Sequence, residues 1–249
     1  MRKYSAILLG LSVVASAAHA GVKLRYKSQV GDKSAYQMVM EGETTVFVAE
    51  RRQKTNLTTE IFLTQEVLEV ADSGVINVAT QIDSGRINVN QVSSVIPNVG
   101  QRVVTQMHPN GQIINTEGLQ GNLNLNQMQL VFPDEELEVG STWSKELPPS
   151  LQVPVGLDVK YKIVGFERVK GKRCIKVLSE VRSGETSTVE GLSLDVRADG
   201  IIYFAYDEGM MVKNEVKSSM KMILKRVVNN KSESIITKMN MDMKMEWQY

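Results

Sequence analysis

The sequence predicts a mainly β fold: two curved antiparallel sheets, half-barrel or clam-like, with a long C-terminal hairpin and at most one or two short helices. Three observations carry that reading. Apolar and polar residues alternate with a period of two through much of the chain, and glycine or asparagine turn signals interrupt the alternation at short intervals. The composition, 42% hydrophobic and 23% charged over 249 residues, is that of a folded soluble protein and excludes disorder, collagen and helical membrane bundles.

The elements follow in chain order. Arg2 and Lys3, the apolar run Ala6 to Ala18 and the small residues of Ala18-His19-Ala20 read as a cleaved secretory signal over 1–20, with cleavage near Ala20/Gly21. That run is shorter than the roughly 20 residues a membrane span needs. The expected location is therefore periplasmic or secreted. Cleavage takes Arg2 and Lys3 from 29 basic residues and leaves the 28 acidic ones just ahead. Such a balance offers no basic field for nucleic acid.

Val22-Lys23-Leu24-Arg25-Tyr26-Lys27 alternates as a half-buried first strand. The same pattern recurs at Leu157, Val159, Tyr161 and Ile163, and at Thr188, Leu192, Leu194 and Val196. Turns are expected at Gly31-Asp32, Asp72-Ser73-Gly74, Asp83-Ser84-Gly85, Asn110-Gly111, Lys170-Gly171, Ser183-Gly184, Asp199-Gly200, Glu208-Gly209 and Asn229-Asn230. Between Asn122 and Phe132, Leu125, Met128 and Phe132 fit one face of one to three helical turns, stopped by Pro133. Pro133 to Val155 is the connector between an N-terminal β-rich half, 21–132, and a C-terminal half, 156–249. Leu24 to Lys27 echoes Val159 to Lys162, and Ala71 to Ile76 echoes Ala198 to Ile202, so duplication and generic strand composition both account for the halves.

Eight of the 13 methionines lie in the last forty residues. Val216, Met220, Met222, Leu224 and Val228 share one strand face, while Ile235, Met239, Met241, Met243, Met245, Trp247 and Tyr249 share a face of the next. The 15 residues from Ile235 extend roughly 50 Å. Pairing Val228 with Glu233 places Met222 opposite Met239 and Met220 opposite Met241, so the two apolar faces coincide. Lysines line the reverse face.

Four readings compete for this surface. It is an ordinary core wall; or a face formed by Met220, Met222, Met239, Met241, Met243 and Trp247 that holds a lipid or other hydrophobic small molecule, methionine being adaptable to varied shapes. Alternatively, Met220, Met222, Met239 and Met241 offer thioethers to Cu(I) in an exported protein. Last, the aromatic-terminated final strand is that of a small outer-membrane β-barrel, against which stand the 6% aromatics and the charged interruptions of earlier strands.

Little else points to chemistry. One cysteine, Cys174, and two histidines exclude a zinc cluster or a disulfide framework. His108 reads as a solvated strand end beside a turn, and Cys174 as a buried strand residue. Gly31-Asp32-Lys33-Ser34 lacks the glycine-lysine pair of a phosphate loop, and no nucleophile-elbow, zinc or calcium-loop motif occurs. No cofactor is implied, and the chain reads as a non-catalytic binding or scaffold module of the cell envelope.

The segment Phe132-Pro133-Asp134-Glu135-Glu136-Leu137-Glu138-Val139-Gly140-Ser141-Thr142-Trp143, with Tyr161 and Gly171-Lys172-Arg173-Cys174 after it, resembles a group of exported bacterial β-rich proteins of unknown function. The resemblance implies export and two β-rich halves and assigns no catalytic residue. The long hairpins are also similar in architecture to the half-barrels of periplasmic lipid and lipoprotein carriers.

Overall fold

The computed structural model describes residues 21–48, 51–118, 129–149, 154–187, 190–228 and 231–249. The signal segment and the span that carries Leu125 and Met128 lie outside these residues.

Alternation becomes strand wherever one face can be buried, and here it yields twelve antiparallel strands. They are β1 (Lys33–Val48), β2 (Arg51–Val70), β3 (Ile76–Val89), β4 (Val92–Val95), β5 (Arg102–Met107), β6 (Ile113–Glu117), β7 (Thr142–Leu147), β8 (Val155–Val169), β9 (Lys172–Ser187), β10 (Leu192–Ala205), β11 (Met210–Val228) and β12 (Lys231–Trp247). No helix occurs among the described residues.

Where two sheets were expected there is one, open and continuous, in the order β6-β5-β3-β2-β1-β12-β11-β10-β9-β8-β7, with β4 paired to β3. The first six strands step outward from β1, the chain crosses to the opposite edge, and the last six step back inward. β12 then pairs with β1 from Tyr36 opposite Trp247 to Val48 opposite Ile235. The two meanders are thereby fused by the first and last strands, and the middle of the chain supplies both edges. Register shifts at Phe62/Leu63, Val67/Glu69, Ile163/Gly165 and Tyr203/Phe204 bend the long strands.

The segment Val22 to Lys27 is not a sheet strand. Only Val22 bridges, to Leu137, and the Tyr26 N–H donates to the Pro109 carbonyl at 2.7 Å. Its alternation is still meaningful, because Leu24 is buried and Tyr26 packs inward while Lys23 faces solvent. The burying partners are loops and a sheet face. The two apparent internal echoes accordingly match unlike structures: Val159 to Lys162 lies in β8, Ala71 to Gly74 forms a turn, and Ala198 to Ile202 lies within β10.

Positive φ angles at Gly31, Gly74, Gly111, Gly171 and Gly209 match five of the expected turns. Gly85 and Gly200 lie inside β3 and β10. A Cβ on Gly200 would collide with Ser179 Oγ, and one on Gly85 with the Ile96 side chain, so both are glycine for close packing.

The hairpin register differs from expectation by two residues. Val228 pairs with Lys231, so Met220 faces Met239 and Met222 faces Thr237. The turn expected at Asn229-Asn230 lies outside the described residues. A two-residue shift preserves parity, and the methionines remain on one face.

Candidate binding cavity

The longest apolar row lies on one side of the sheet. The row Ile163, Val177, Ile202, Asn214, Met245, Met38, Ile61 crosses seven strands through directly paired residues. Over β8 to β10 this face is sealed by the chain itself. Leu24, Leu130 and Phe132 pack on Val159, Tyr161, Ile163, Ile175, Val177, Ile202 and Phe204. Phe132 and Phe204 meet edge to face at 4.7 Å between centroids, and Trp143 stacks on Tyr161 at 5.1 Å. Burial pushes the Tyr161 hydroxyl up to about 12.

Over β1, β2, β3 and β5 the described residues enclose a cavity of about 360 Å³. One wall is Met38, Met210, Met211, Met245 and Trp247, with Ile61, Leu63 and Ile82 beneath. The other wall carries Gln65, Thr80 and Thr105 on β2, β3 and β5, faced by Tyr26 and Gln129. Tyr26 donates to the Leu130 carbonyl at 3.1 Å and Tyr36 to that of Met211 at 3.1 Å. Burial raises both phenols above their ordinary range, with the neighbouring Tyr36 and Tyr161 adding to the effect at Tyr26, so both stay neutral at any physiological pH.

Of the six residues expected to hold a hydrophobic ligand, Trp247 lines this cavity. Met243 packs against the cluster beneath it. Met220, Met222, Met239 and Met241 lie farther along the same face, half-buried and away from the lining. For Cu(I), Met220 and Met239 are the directly opposed pair, with Met222 and Met241 as diagonal neighbours. Among the described residues, no cluster of three His, Cys, Asp or Glu side chains forms a metal site. His108 follows β5 and is exposed, and Cys174 is fully buried with its thiol pushed up to about 11 by burial.

Sequence reasoning missed Tyr26, Tyr36, Met38, Met210 and Met211 as parts of one site. Only Tyr36-Gln37-Met38-Val39-Met40 carried a readable signal, the alternation that β12 also shows.

The opposite face of the sheet is charged. A broad trough of about 1340 Å³ crosses it from β7 to β1, between residues such as Lys160, Lys162, Glu180, Lys217 and Asp242. Much of this charge is spent within the sheet, as in Arg182 with Glu180 and Asp199 at 3.0 Å. Charge outside and apolar residues inside is the reverse of a membrane barrel, whose outer band is apolar and whose edges are closed. With β6 and β7 at open edges among the described residues, the barrel reading is set aside.

Fold and cavity together define an all-β class: an open, bent antiparallel sheet that folds its apolar face over its own loops. No family model matches the chain, and no curated protein matches it. Among solved structures it is similar to a Bacteroides fragilis protein described as exported, with a YmcC-like fold. The identity is 11%, coverage 86% of this chain and 96% of that one, and TM-score 0.29. It is also similar to a DUF1329 family protein from Desulfovibrio piger, at 7% identity, 83% coverage of each chain and TM-score 0.17.

Proposed function

We propose that this chain is an exported, non-catalytic binding module of the cell envelope that holds a hydrophobic small molecule, a lipid or similar ligand, against its methionine-bearing sheet face. The observation that carries the reading is the 360 Å³ cavity between that face and the Tyr26 segment. Its volume falls in the range of about 300–1,000 Å³ usual for small-molecule sites. Met38, Met210, Met211 and Met245 give an apolar wall that re-packs at low cost. The titratable groups inside it are tyrosines held neutral, which suit holding a ligand better than proton transfer. Export is supported by the charged start, apolar run and small-residue cleavage site of residues 1–20.

The test is solvent extraction and mass spectrometry of protein purified from its native host. A stoichiometric hydrophobic compound is expected, and it should be lost from a Val103→Phe variant that fills the cavity. Absence of any such compound from the folded parent protein would refute the reading.

A further inference from the structure

The two walls of the cavity differ, and the difference specifies a ligand. On the β1/β12 side, past Lys33 and Ser34 at the exposed start of β1, the lining side chains are Tyr36, Met38, Met245 and Trp247, with the Tyr36 hydroxyl committed to the Met211 carbonyl. On the β2-β3-β5 side three uncharged polar residues, Gln65, Thr80 and Thr105, stand among Ile61, Leu63, Val67, Val78, Ile82, Val103 and Met107. Gln65 donates to Thr80 Oγ1 at 3.3 Å, and Thr105 lies one row away. Gln129 donates to the Met107 thioether at 3.4 Å and also hydrogen-bonds the Tyr26 hydroxyl. Thr116, directly opposite Thr105 on β6, has a buried hydroxyl with no hydrogen-bond partner.

The charged lining residues, Lys27, Asp32, Lys33 and Glu208, are all exposed and stand at the rim. Lys27 Nζ donates to the Tyr206 and Asp207 carbonyls, and Lys33 pairs with Glu66. Asp32 accepts the Gln29 N–H, and Glu208 pairs with Lys172. An ionised headgroup drawn past the rim onto Gln65, Thr80 and Thr105 would leave water for uncharged partners, a cost far above that of burying a hydrogen-bonded neutral group.

We infer that the ligand is a neutral single-chain amphiphile: its uncharged hydrogen-bonding head, a hydroxyl or amide, lies on Gln65, Thr80 and Thr105, and its hydrocarbon chain runs toward Met38, Met245 and Trp247. This rests on the binding reading above and narrows its ligand class. It also explains why threonine and glutamine stand on an otherwise apolar sheet face.

The experiment is displacement of the neutral dye N-phenyl-1-naphthylamine from the full chain by 1-decanol and by decanoate, chain-matched, at about pH 8, where the carboxyl is ionised. Decanol should displace the dye at concentrations at least about tenfold lower. Any apolar pocket favours the alcohol to some degree, so a variant carries the assignment. Gln65→Leu/Thr80→Val removes both partners of one hydrogen bond in similar shapes, a change close to neutral for folding. Circular dichroism melting confirms the fold. With each competitor referred to the dye affinity of the protein it is measured on, the preference for decanol over decanoate should fall about fivefold or more in the variant. Equal potency of decanoate and decanol on the parent, or an unaltered preference in the variant, overturns the neutral-head assignment and leaves the binding reading intact. Failure of the parent to bind the dye at all overturns both.

Discussion

Replacing Phe132 tests whether the crossing segment seals the C-terminal half of the sheet. Phe132 lies outside any strand, is 1% exposed, and is held at its backbone by a 2.8 Å hydrogen bond from its N–H to the Asn110 carbonyl. Substitution leaves that bond in place, so the ring alone is tested. The ring sits 4.7 Å from Phe204, 5.9 Å from Tyr26 and 6.2 Å from Trp143 between centroids. A buried Phe→Ala change costs about 3–5 kcal/mol, within which the ring pairs count for roughly 0.5–1.5 kcal/mol each. Phe132→Ala should therefore lose about 4–5 kcal/mol, and Phe132→Leu, which keeps most of the buried area, about 1–2 kcal/mol. Set against a total stability of about 5–15 kcal/mol, the alanine variant is close to unfolding. In a chain of this length each kcal/mol moves Tm by about 2–4 °C, so the two variants should melt roughly 8–20 and 2–8 °C below the parent. Urea unfolding followed by circular dichroism gives the free energies. If both variants fall within about 1 kcal/mol of the parent, the segment is not packed on the sheet and the argument for a sealed half fails.

Two further outcomes follow from buried groups. Asn214 is 4% exposed in the middle of the apolar row, between Ile202 and Met245, and its Oδ1 has no hydrogen-bond partner. Asn214→Leu should therefore raise stability by about 1–3 kcal/mol in urea unfolding, and a loss would show that the carboxamide is satisfied in solution. Cys174 ionises near 9.0 in the unfolded chain but near 11 in the folded one, because burial disfavours the thiolate. Between those values the unfolded state binds fewer protons, so the neutral thiol's contribution is complete below pH 9.0 and is lost as pH rises toward 11. The gap in Tm between parent and Cys174→Ala should shrink across that window, whereas a constant gap would place the thiol in contact with solvent.

The sequence made the strands and their faces legible because the alternation is local. Met220, Met222, Met239, Met241, Met243 and Met245 all lie on the predicted face, even though the register differs by two, since parity survives an even shift. What escaped reading was non-local. The β1–β12 pairing joins residues about two hundred positions apart, and any strand patterned like Tyr36-Gln37-Met38-Val39-Met40 could have taken that place. Without that pairing, two meanders read as two sheets. Gly85 and Gly200 misled for a related reason: Asp-Ser-Gly and Asp-Gly are turn signals locally, but the close approach of Ile96 and Ser179 that requires glycine there is set by neighbouring strands. Trp247 could be named for the site from its strand alone. Tyr26, Met210 and Met211 could not, because the fold brings them to the cavity from loops and other strands.

The division of labour on the apolar face has a single physical origin in where the crossing segment lands. To reach β7 from the β6 edge, the chain passes over the sheet and places Leu130 and Phe132 on the β8–β10 half, beside Leu24. That half also holds Phe204, Tyr161 and Trp143, so few gaps remain, and interlocking rings fix one arrangement. Among the described residues the β1–β3 half receives Tyr26 and Gln129 from this cover, and its own lining is Tyr36, Trp247, methionine, aliphatic residues, Gln65 and threonine. A sheet face bent enough to enclose one filling segment is too wide for that segment to fill throughout. With unbranched thioethers on one wall and uncharged hydrogen-bonding groups on the other, the β1–β3 half keeps a space whose shape yields and whose polarity does not, and that asymmetry suits a ligand with one neutral polar end.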